Sequence, residues 1–541
     1  MIRILGQPYL HNIMQVHFPF VLHQLFLSLL ITLHVTFYFF LPSYEFNYHP
    51  FLCIYKSFSL LYCGSYKYLK YIMKHLLQIC STEILKSNYM NTMIPNHSHD
   101  TLQNERYPVN PFDLSTDLFC TFSNQIIHMV IHLDGQVRFD LLEKAVEMAS
   151  LAEPITRCRI IRDQNTLFWQ ECSDFYVPDH ILLLSSRTPL KLLFQALSYP
   201  LDPYLGKLFQ IILLENSAKT GDIVVINVHH IVMDARGLKD FVELIIRCYN
   251  DYQSGFLTEI PITPIQSHQL PRVTTFITEK NPIETPKPPI GWSSPISVPL
   301  QSLHAEKYRY SIMMFHPDRT EIIQKTRRKW GITVNDFMIA VLVRAIASVL
   351  NEKLKVTIPL YTTIDLRRYL QIIPRRSLVN VSTSFEIRIP LNPVESIEDT
   401  GKRIHVLMNE IKSRRSGLYE MVESEILFDS GYTAAQKLIN SVWNNIKEGK
   451  SKTTIFSNTG IINREQVNPG ELSVRNAYIL PSFFQPPGFF FLLSTFEDIM
   501  TLSASYAISA YDPDLVNRMF HYIDRDIPGF TKFPGEYKII E

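Results

Sequence analysis

The stretch Ile223–Gly237, IVVINVHHIVMDARG, decides the fold more clearly than any other part of the 541-residue chain. Its first six residues are a short, apolar, β-branched run, which is typical of a buried strand. Leu238–Tyr249 then places apolar residues at helical spacing, so a helix follows. The polar residues His229, His230 and Asp234 therefore fall in a tight turn between a strand and a helix, where α/β proteins commonly place ligand sites.

The HHxxxD pattern in this turn favours proton transfer. A neutral imidazole titrates near physiological pH and accepts a proton from a hydroxyl or an amine. Two adjacent histidines diverge from an extended backbone, so we expect at most one of them to face a crevice and the other to make structural hydrogen bonds. A lone histidine is more often a satisfied core residue, but the complete pattern is rare by chance. The sequence has no HExxH, GxSxG, P-loop or GxGxxG motif, which argues against zinc, serine-nucleophile and nucleotide chemistry.

With Gly237 close by, this string resembles the motif of the superfamily that contains condensation domains and chloramphenicol acetyltransferase. Wax-ester synthases, polyketide-associated acyltransferases and alcohol acetyltransferases are further members. Five other segments resemble the family pattern in the expected order, so that the likeness covers about residues 105–525: Tyr107–Phe112, Thr333–Asp336, Ile364–Arg368, Asn380–Ser382 and Ser457–Gly460. One departure is that Ala235, and not glycine, follows the motif aspartate, which suggests a shifted turn or a narrower channel for the acyl donor.

The resemblance implies an α/β (α+β) fold with two chloramphenicol-acetyltransferase-like lobes, whose mixed sheets are flanked by helices. The active site would lie in the channel between the lobes. His230 and Asp234 would be the catalytic positions, with His230 as the general base and Asp234 holding the motif loop through Arg367. His229, Arg367 and Gly237 would support the site. Asn335, Asp336, Ser457, Asn458 and Gly460 would be substrate-channel candidates.

Two of these assignments have plainer interpretations. Thr333 and Asn335 suit a helix N-terminus, so the Asn335–Asp336 segment fits a simple helix cap. Arg367 fits a solvated loop charge.

The function that the resemblance implies is transfer of an acyl group from a thioester to a hydroxyl or amine without a covalent intermediate. The co-substrate would be acyl-CoA or an acyl-carrier thioester, with no bound cofactor and no metal. The partner would be a small-molecule acyl acceptor. A standalone O-acyltransferase that uses acyl-CoA is favoured, and an acyl-carrier protein acting in trans stays open as a further partner. Two alternatives stay open: an amide-forming condensation domain of the nonribosomal peptide type, and a catalytically silent relative that binds an acyl thioester or a protein.

Charge divides the chain into two unlike parts. Residues 1–95 hold six Lys or Arg and two acids of the 52 and 51 in the whole chain. Within them, residues 18–41 are apolar and long enough for one transmembrane helix. This extension is either a membrane anchor or the product of a start codon assigned too far upstream. We therefore expect a cytoplasmic catalytic domain that contacts a membrane only if residues 18–41 are a real span.

The remaining residues divide into an N-terminal lobe (96–265), a Pro-rich linker (266–300) and a C-terminal lobe (301–541). The linker is predicted because nine of the 33 prolines lie between Pro261 and Leu300. The net charge of +1 gives no support to nucleic-acid binding. Seven cysteines without a C-x-x-C pair fit reduced thiols.

Overall fold

The computed structural model describes residues 105–256, 258–270, 272–273, 296–350, 356–370, 378–392, 394–415, 417–448 and 454–541. The predicted extension over residues 1–95, with the apolar stretch 18–41, lies outside the described residues, as does most of the predicted 266–300 linker. Among the described residues, no single helix is both long and apolar enough to span a membrane; one pair of helices meets the criterion only jointly and is bent by 100°.

Fifteen strands lie in the described ranges: β1 Arg106–Pro108, β2 Ile126–Asp134, β3 Cys158–Asp163, β4 Thr166–Glu171, β5 Ile181–Ser186, β6 Phe209–Asn216, β7 Ile223–His229, β8 Tyr308–Phe315, β9 Val356–Asp365, β10 Ser382–Leu391, β11 Thr454–Ile462, β12 Ser473–Leu480, β13 Phe489–Phe496, β14 Ile499–Ala507 and β15 Glu536–Ile540. The α-helices in the same ranges are α1 Pro111–Phe119, α2 Phe139–Ala152, α3 Leu193–Leu197, α4 Ala235–Ser254, α5 Pro317–Trp330, α6 Val334–Val349, α7 Ile397–Ser413, α8 Gly417–Ser430, α9 Tyr432–Lys447, α10 Arg464–Val467 and α11 Pro513–Asp526.

The first large sheet has five strands in the order β12-β2-β7-β6-β5. Its central strand β7 is buried at every position, which explains why the sequence there is mostly apolar and does not alternate between apolar and polar residues. Helices α2 and α4 pack together and share a hydrophobic core with this sheet. That packing places the strand-to-helix turn between β7 and α4 at one end of the sheet.

The second large sheet has seven strands in the order β10-β9-β11-β13-β14-β8-β15. Its centre is parallel, since β11 pairs in parallel with both β9 and β13. Residues of α6, α7 and α11 contribute to the core on one face of this sheet, and most of α6 is buried. A small three-stranded sheet, β1-β4-β3, completes the described strands. Mixed sheets flanked by helices confirm the α/β (α+β) class predicted from the sequence.

The chain leaves the seven-stranded sheet once to add a strand to the five-stranded sheet. After β11 in the seven-stranded sheet, the chain runs through α10 to β12, which pairs antiparallel with β2 in the five-stranded sheet. It then returns to β13 beside β11. The five-stranded sheet therefore contains a strand from the C-terminal half, and a division of the sequence at residues 266–300 does not reveal this exchange.

Candidate active site

His230 follows the last residue of β7. Its backbone N–H donates to the carbonyl of Gln125 at 2.7 Å. Gln125 has a φ of 48°, in the left-handed region that side-chain-bearing residues seldom occupy, and it is buried. Strained residues of this kind persist only where the surrounding structure holds them, and they cluster at functional sites. The hydrogen bond from His230 to Gln125 therefore fixes the start of the His229–Asp234 loop against a residue in a strained conformation.

The imidazole of His230 is half-buried. Its Nδ1 is closed off from solvent, and no other residue in the described part of the chain hydrogen-bonds to it. Burial lowers the pKa of His230 below its usual 6.5, while the negative charge of Asp234 and the residue's own backbone carbonyl oppose the decrease. The ring is therefore neutral at pH 7, and the nitrogen that it presents is Nε2.

His229 has a different environment. It is 1% exposed, and its Nδ1 accepts a hydrogen bond from the backbone N–H of Ile231 at 3.2 Å. The neutral ring therefore carries its proton on Nε2, which lies 3.6 Å from the sulfur of Cys120, the residue directly after α1. Burial, with a smaller effect of His230, lowers its pKa to about 3. These contacts make His229 a structural residue of the loop.

Asp234 holds the loop in place through four hydrogen bonds. Its Oδ1 accepts from the backbone N–H groups of Arg236 and Gly237, at 3.1 and 3.0 Å, and so caps α4. Its Oδ2 accepts from Arg367 at 2.7 Å and from the backbone N–H of Val381 at 3.0 Å. Burial alone would raise the pKa of Asp234, but the charge and hydrogen bond of Arg367 lower it below the usual range. Asp234 is therefore an ionised positioning group.

The Arg367–Asp234 ion pair that the resemblance implied is present and is mostly buried, with exposed side-chain fractions of 18% and 3%. Arg367 also donates to the carbonyl of Val379 at 2.8 Å and contacts Asp365 at 3.3 Å. Because Arg367 follows β9 and Asp234 precedes α4, the pair joins the seven-stranded sheet to the motif loop of the five-stranded sheet.

Gly237 is required for packing. A Cβ at this position would lie 2.7 Å from the Cβ of Met233, closer than side-chain carbons approach each other. Ala235, where the family pattern has glycine, is the first residue of α4 and is half-buried. The turn thus accommodates alanine directly after Asp234 and uses its glycine two residues later.

Asn335 and Asp336 lie at the start of α6. Asp336 forms a capping box with Thr333 and accepts from Nδ1 of His405 at 2.7 Å. In the described part of the chain, no hydrogen bond joins either residue to the His229–Asp234 loop, and their role as substrate-channel residues stays a prediction. The plainer interpretation, a helix cap, explains the contacts of Asp336.

Ser457, Asn458 and Gly460 lie on β11. The Ser457 hydroxyl is 2.8 Å from that of Thr363 on β9. The Asn458 side-chain oxygen accepts from the backbone N–H of Gly460 at 3.0 Å. Gly460 has a φ of 75° and lies where the pairing of β11 with β13 shifts register. This segment is tied to the motif helix because Lys239 on α4 donates to the carbonyl of Thr459 at 2.9 Å.

The sequence does not predict three residues that support the site through hydrogen bonds: Gln125, Thr116 on α1, and Lys239 on α4. Thr116 accepts from the side chain of Asn380 at 3.1 Å, just before β10. Gln125 and Thr116 carry no motif, because their partners lie about 100 and 260 residues away in the chain. Lys239 did leave a signal, since it shares a helical stripe with the buried residues Val242 and Ile246.

Comparison with known proteins supports the fold at low sequence identity. No family model and no curated protein sequence matches the chain. The trichothecene 15-O-acetyltransferase TRI3 from Fusarium sporotrichioides matches with a TM-score of 0.57 at 13% identity, over 80% of this chain and 99% of that one. The first condensation domain of the calcium-dependent antibiotic synthetase matches with a TM-score of 0.56 at 12% identity, over 78% and 95% of the two chains.

This chain has the condensation-domain fold. The fold is shared with proteins of different activity, since the epimerization domain of the third module of tyrocidine synthetase B also matches, with a TM-score of 0.55 at 11% identity over 80% and 97% of the two chains. The condensation and chloramphenicol-acetyltransferase-like likeness predicted from the sequence is thus confirmed at the level of fold. Function has to be argued from the site itself.

Proposed function

We propose that this chain is an acyltransferase that moves an acyl group from a thioester to the hydroxyl or amine of a small molecule. The observation that carries the proposal is the half-buried ring of His230, whose lowered pKa keeps it neutral at the end of β7. A neutral imidazole in this position has the protonation state that a general base needs. The co-substrate would be acyl-CoA or an acyl-carrier thioester.

The proposed reaction proceeds through one tetrahedral intermediate. Nε2 of His230 takes the proton from the acceptor as its oxygen or nitrogen attacks the thioester carbonyl. The intermediate collapses with cleavage of the carbon–sulfur bond, and the imidazolium returns the proton to the departing thiolate. The products are an ester or amide and a free thiol. General-base catalysis of this kind contributes roughly 10²–10⁴-fold in rate.

Asp234 and Arg367 would position His230 without touching the substrate. Both oxygens of Asp234 are occupied by the cap of α4, by Arg367 and by Val381. An aspartate held in this way does not relay protons. Its role would be to fix the loop so that His230 meets the acceptor in a reactive orientation, which can be worth several kcal/mol of barrier.

Asn458 is the candidate for stabilising the negative charge on the intermediate. Its side-chain oxygen is already bonded to the N–H of Gly460, and its amide nitrogen has no hydrogen-bond partner within the described ranges. A half-buried amide N–H can donate to a developing oxyanion, and loss of one such donor costs about 10²–10³ in kcat in a characterised protease.

The direct test is a substrate screen with the purified full-length chain. Acetyl-CoA and octanoyl-CoA serve as acyl donors, primary alcohols and amines serve as acceptors, and products are detected by mass spectrometry. We expect an acylated acceptor with release of one CoA thiol. The His230→Ala variant should lose at least a hundredfold of the rate while keeping its melting temperature. Equal rates for the two proteins would contradict the proposal.

A further inference from the structure

Lys239 on α4 is an unusually buried lysine. It lies five residues after Asp234, and only 9% of it is exposed. Its ammonium group donates to two backbone carbonyls of β11, those of Thr459 at 2.9 Å and Ile461 at 3.2 Å. Lysines are seldom buried unless they are paired, because the charge must be desolvated. The two hydrogen bonds to β11 therefore have to offset the cost of burying this ammonium group.

The two carbonyls flank Gly460 in the irregular part of β11. The pairing of β11 with β13 shifts register between Asn458 and Ile461, and Gly460 has a φ of 75°. This shift leaves Thr459 and Gly460 out of the ladder with β13, and the pairing of β11 with β9 covers only Ile455 and Phe456, so carbonyls in this stretch need donors other than a neighbouring strand. The single ammonium of Lys239 supplies hydrogen bonds to both.

The tie links two parts of the candidate active site. Lys239 belongs to the helix that Asp234 caps, directly after the loop that carries His230. The bulge directly follows Ser457 and Asn458 on the strand of the other large sheet. A methionine would fill the same space, but it would offer no hydrogen-bond donor to the bulge.

We propose that Lys239 is a positioning residue that sets the distance between His230 and the Ser457–Asn458 segment by clamping the β11 bulge to the motif helix. The inference rests on the proposed function for its effect on catalysis. The clamp itself is a structural claim that needs no substrate. Misplacement of reacting groups by about 1 Å can cost about 10²-fold in rate, so a lost clamp should lower kcat more than it raises KM.

The test compares Lys239→Met and Lys239→Arg with the unmodified full chain. Lys239→Met should accelerate hydrogen exchange of the backbone amides over residues 454–462 at least tenfold. With the best acyl-CoA and acceptor of the screen, kcat should fall at least tenfold while KM changes less than threefold. Arginine also donates to two carbonyls, so Lys239→Arg should stay within threefold of the unmodified kcat.

Lys325→Met is the matched control, because Lys325 is an exposed helix lysine in an i,i+4 ion pair with Glu321. Lys325→Met should change neither the hydrogen exchange over residues 454–462 nor kcat. Unchanged exchange over residues 454–462 in Lys239→Met would overturn the clamp. Activity retained by His230→Ala would instead overturn the proposed function, while the exchange measurement would still decide whether Lys239 holds the bulge.

A second variant tests the same hydrogen bonds by changing β11 and leaving Lys239 in place. Gly460→Ala adds a Cβ that meets no atom within 4 Å, but it strains the positive φ of the bulge. If Lys239→Met does not fold, Gly460→Ala should reproduce faster exchange over residues 454–462 and a lower kcat with little change in KM. An unchanged kcat in a folded Gly460→Ala protein would contradict the proposal.

Discussion

At the scale of single residues, Asp234 shows how contacts decide between two interpretations of one spacing. The four-residue interval between His230 and Asp234 lets a carboxylate either lie close behind an imidazole or hold the loop that presents it. In the structure, the carboxylate caps α4 and pairs with Arg367, so it holds the loop, and its effect on His230 is electrostatic. The spacing thus identifies the loop correctly, whereas the division of labour within it depends on partners that lie more than 130 residues away.

The buried ion pair gives a stability prediction. Arg367→Met leaves the carboxylate of Asp234 buried without its cation, which should lower the free energy of unfolding by about 3 kcal/mol. Urea denaturation measures the change. The control is Arg106→Met, since Arg106 and Asp163 form a pair that is about half exposed, and its loss should cost less than about 1 kcal/mol. Equal destabilisation by the two variants would show that the buried Arg367–Asp234 pair contributes no more to the free energy of unfolding than an exposed pair does.

Elements of the fold differ in how far the sequence reveals them. The buried strand β7 and the helix α4 are predicted because apolar periodicity is local information. The contacts of residues 265–270 and 272–273 are not predicted, because the Pro-rich composition of residues 261–300 indicates only an extended connection. In the structure, His268 in this segment contacts Asp113 on α1 at 3.2 Å and the carbonyl of Leu378 at 2.7 Å.

Further contacts anchor the end of the same segment to α8. Arg272 makes a bidentate pair with Asp429 at 2.6 and 2.9 Å, and the backbone N–H of Val273 donates to Glu425. The described part of the predicted linker is therefore fixed at several points. Composition could not predict this, because each partner is more than 100 residues distant.

The His268 anchor predicts a pH-dependent stability. Both ring nitrogens face acceptors, so the protonated imidazolium fits best. Burial lowers the pKa of His268, but the charge and hydrogen bond of Asp113, the carbonyl of Leu378 and the charge of Glu153 together raise it by more, so that the pKa lies above 6.5. The stabilisation should therefore be complete below pH 6.5 and decline as the pH rises through the raised pKa.

Urea denaturation of the unmodified chain and His268→Gln between pH 5.5 and pH 9 measures this effect. The difference in unfolding free energy should be largest at the acidic end. His304→Gln is the control, because His304 pairs with Glu306 in the exposed surface. A difference for His268→Gln that stays constant with pH would show that the ring is not charged in the folded protein.

The whole molecule depends on long-range connections between its two large sheets. The sequence predicts the mixed α/β class and the buried strand β7, because those follow from local patterns, and the family resemblance adds the Arg367–Asp234 pair. Neither predicts that β12 leaves the second half to pair with β2, nor that Lys239 ties α4 to β11. Such pairings are set by tertiary packing, which no local pattern encodes. These connections tie the loop that carries His230 to Arg367 and, through Lys239 of α4, to the β11 bulge, and the proposed chemistry depends on them.

The pH dependence of acyl transfer tests the neutral-base role of His230 most directly. Burial holds its pKa below 6.5, and only the neutral ring accepts a proton, so the acidic limb of kcat/KM should be centred below pH 6.5, with a plateau at higher pH. His230→Gln should lose roughly 10²–10⁴-fold in kcat/KM and lose this acidic limb with it. An acidic limb centred at or above pH 6.5, or the same limb in His230→Gln, would contradict the account.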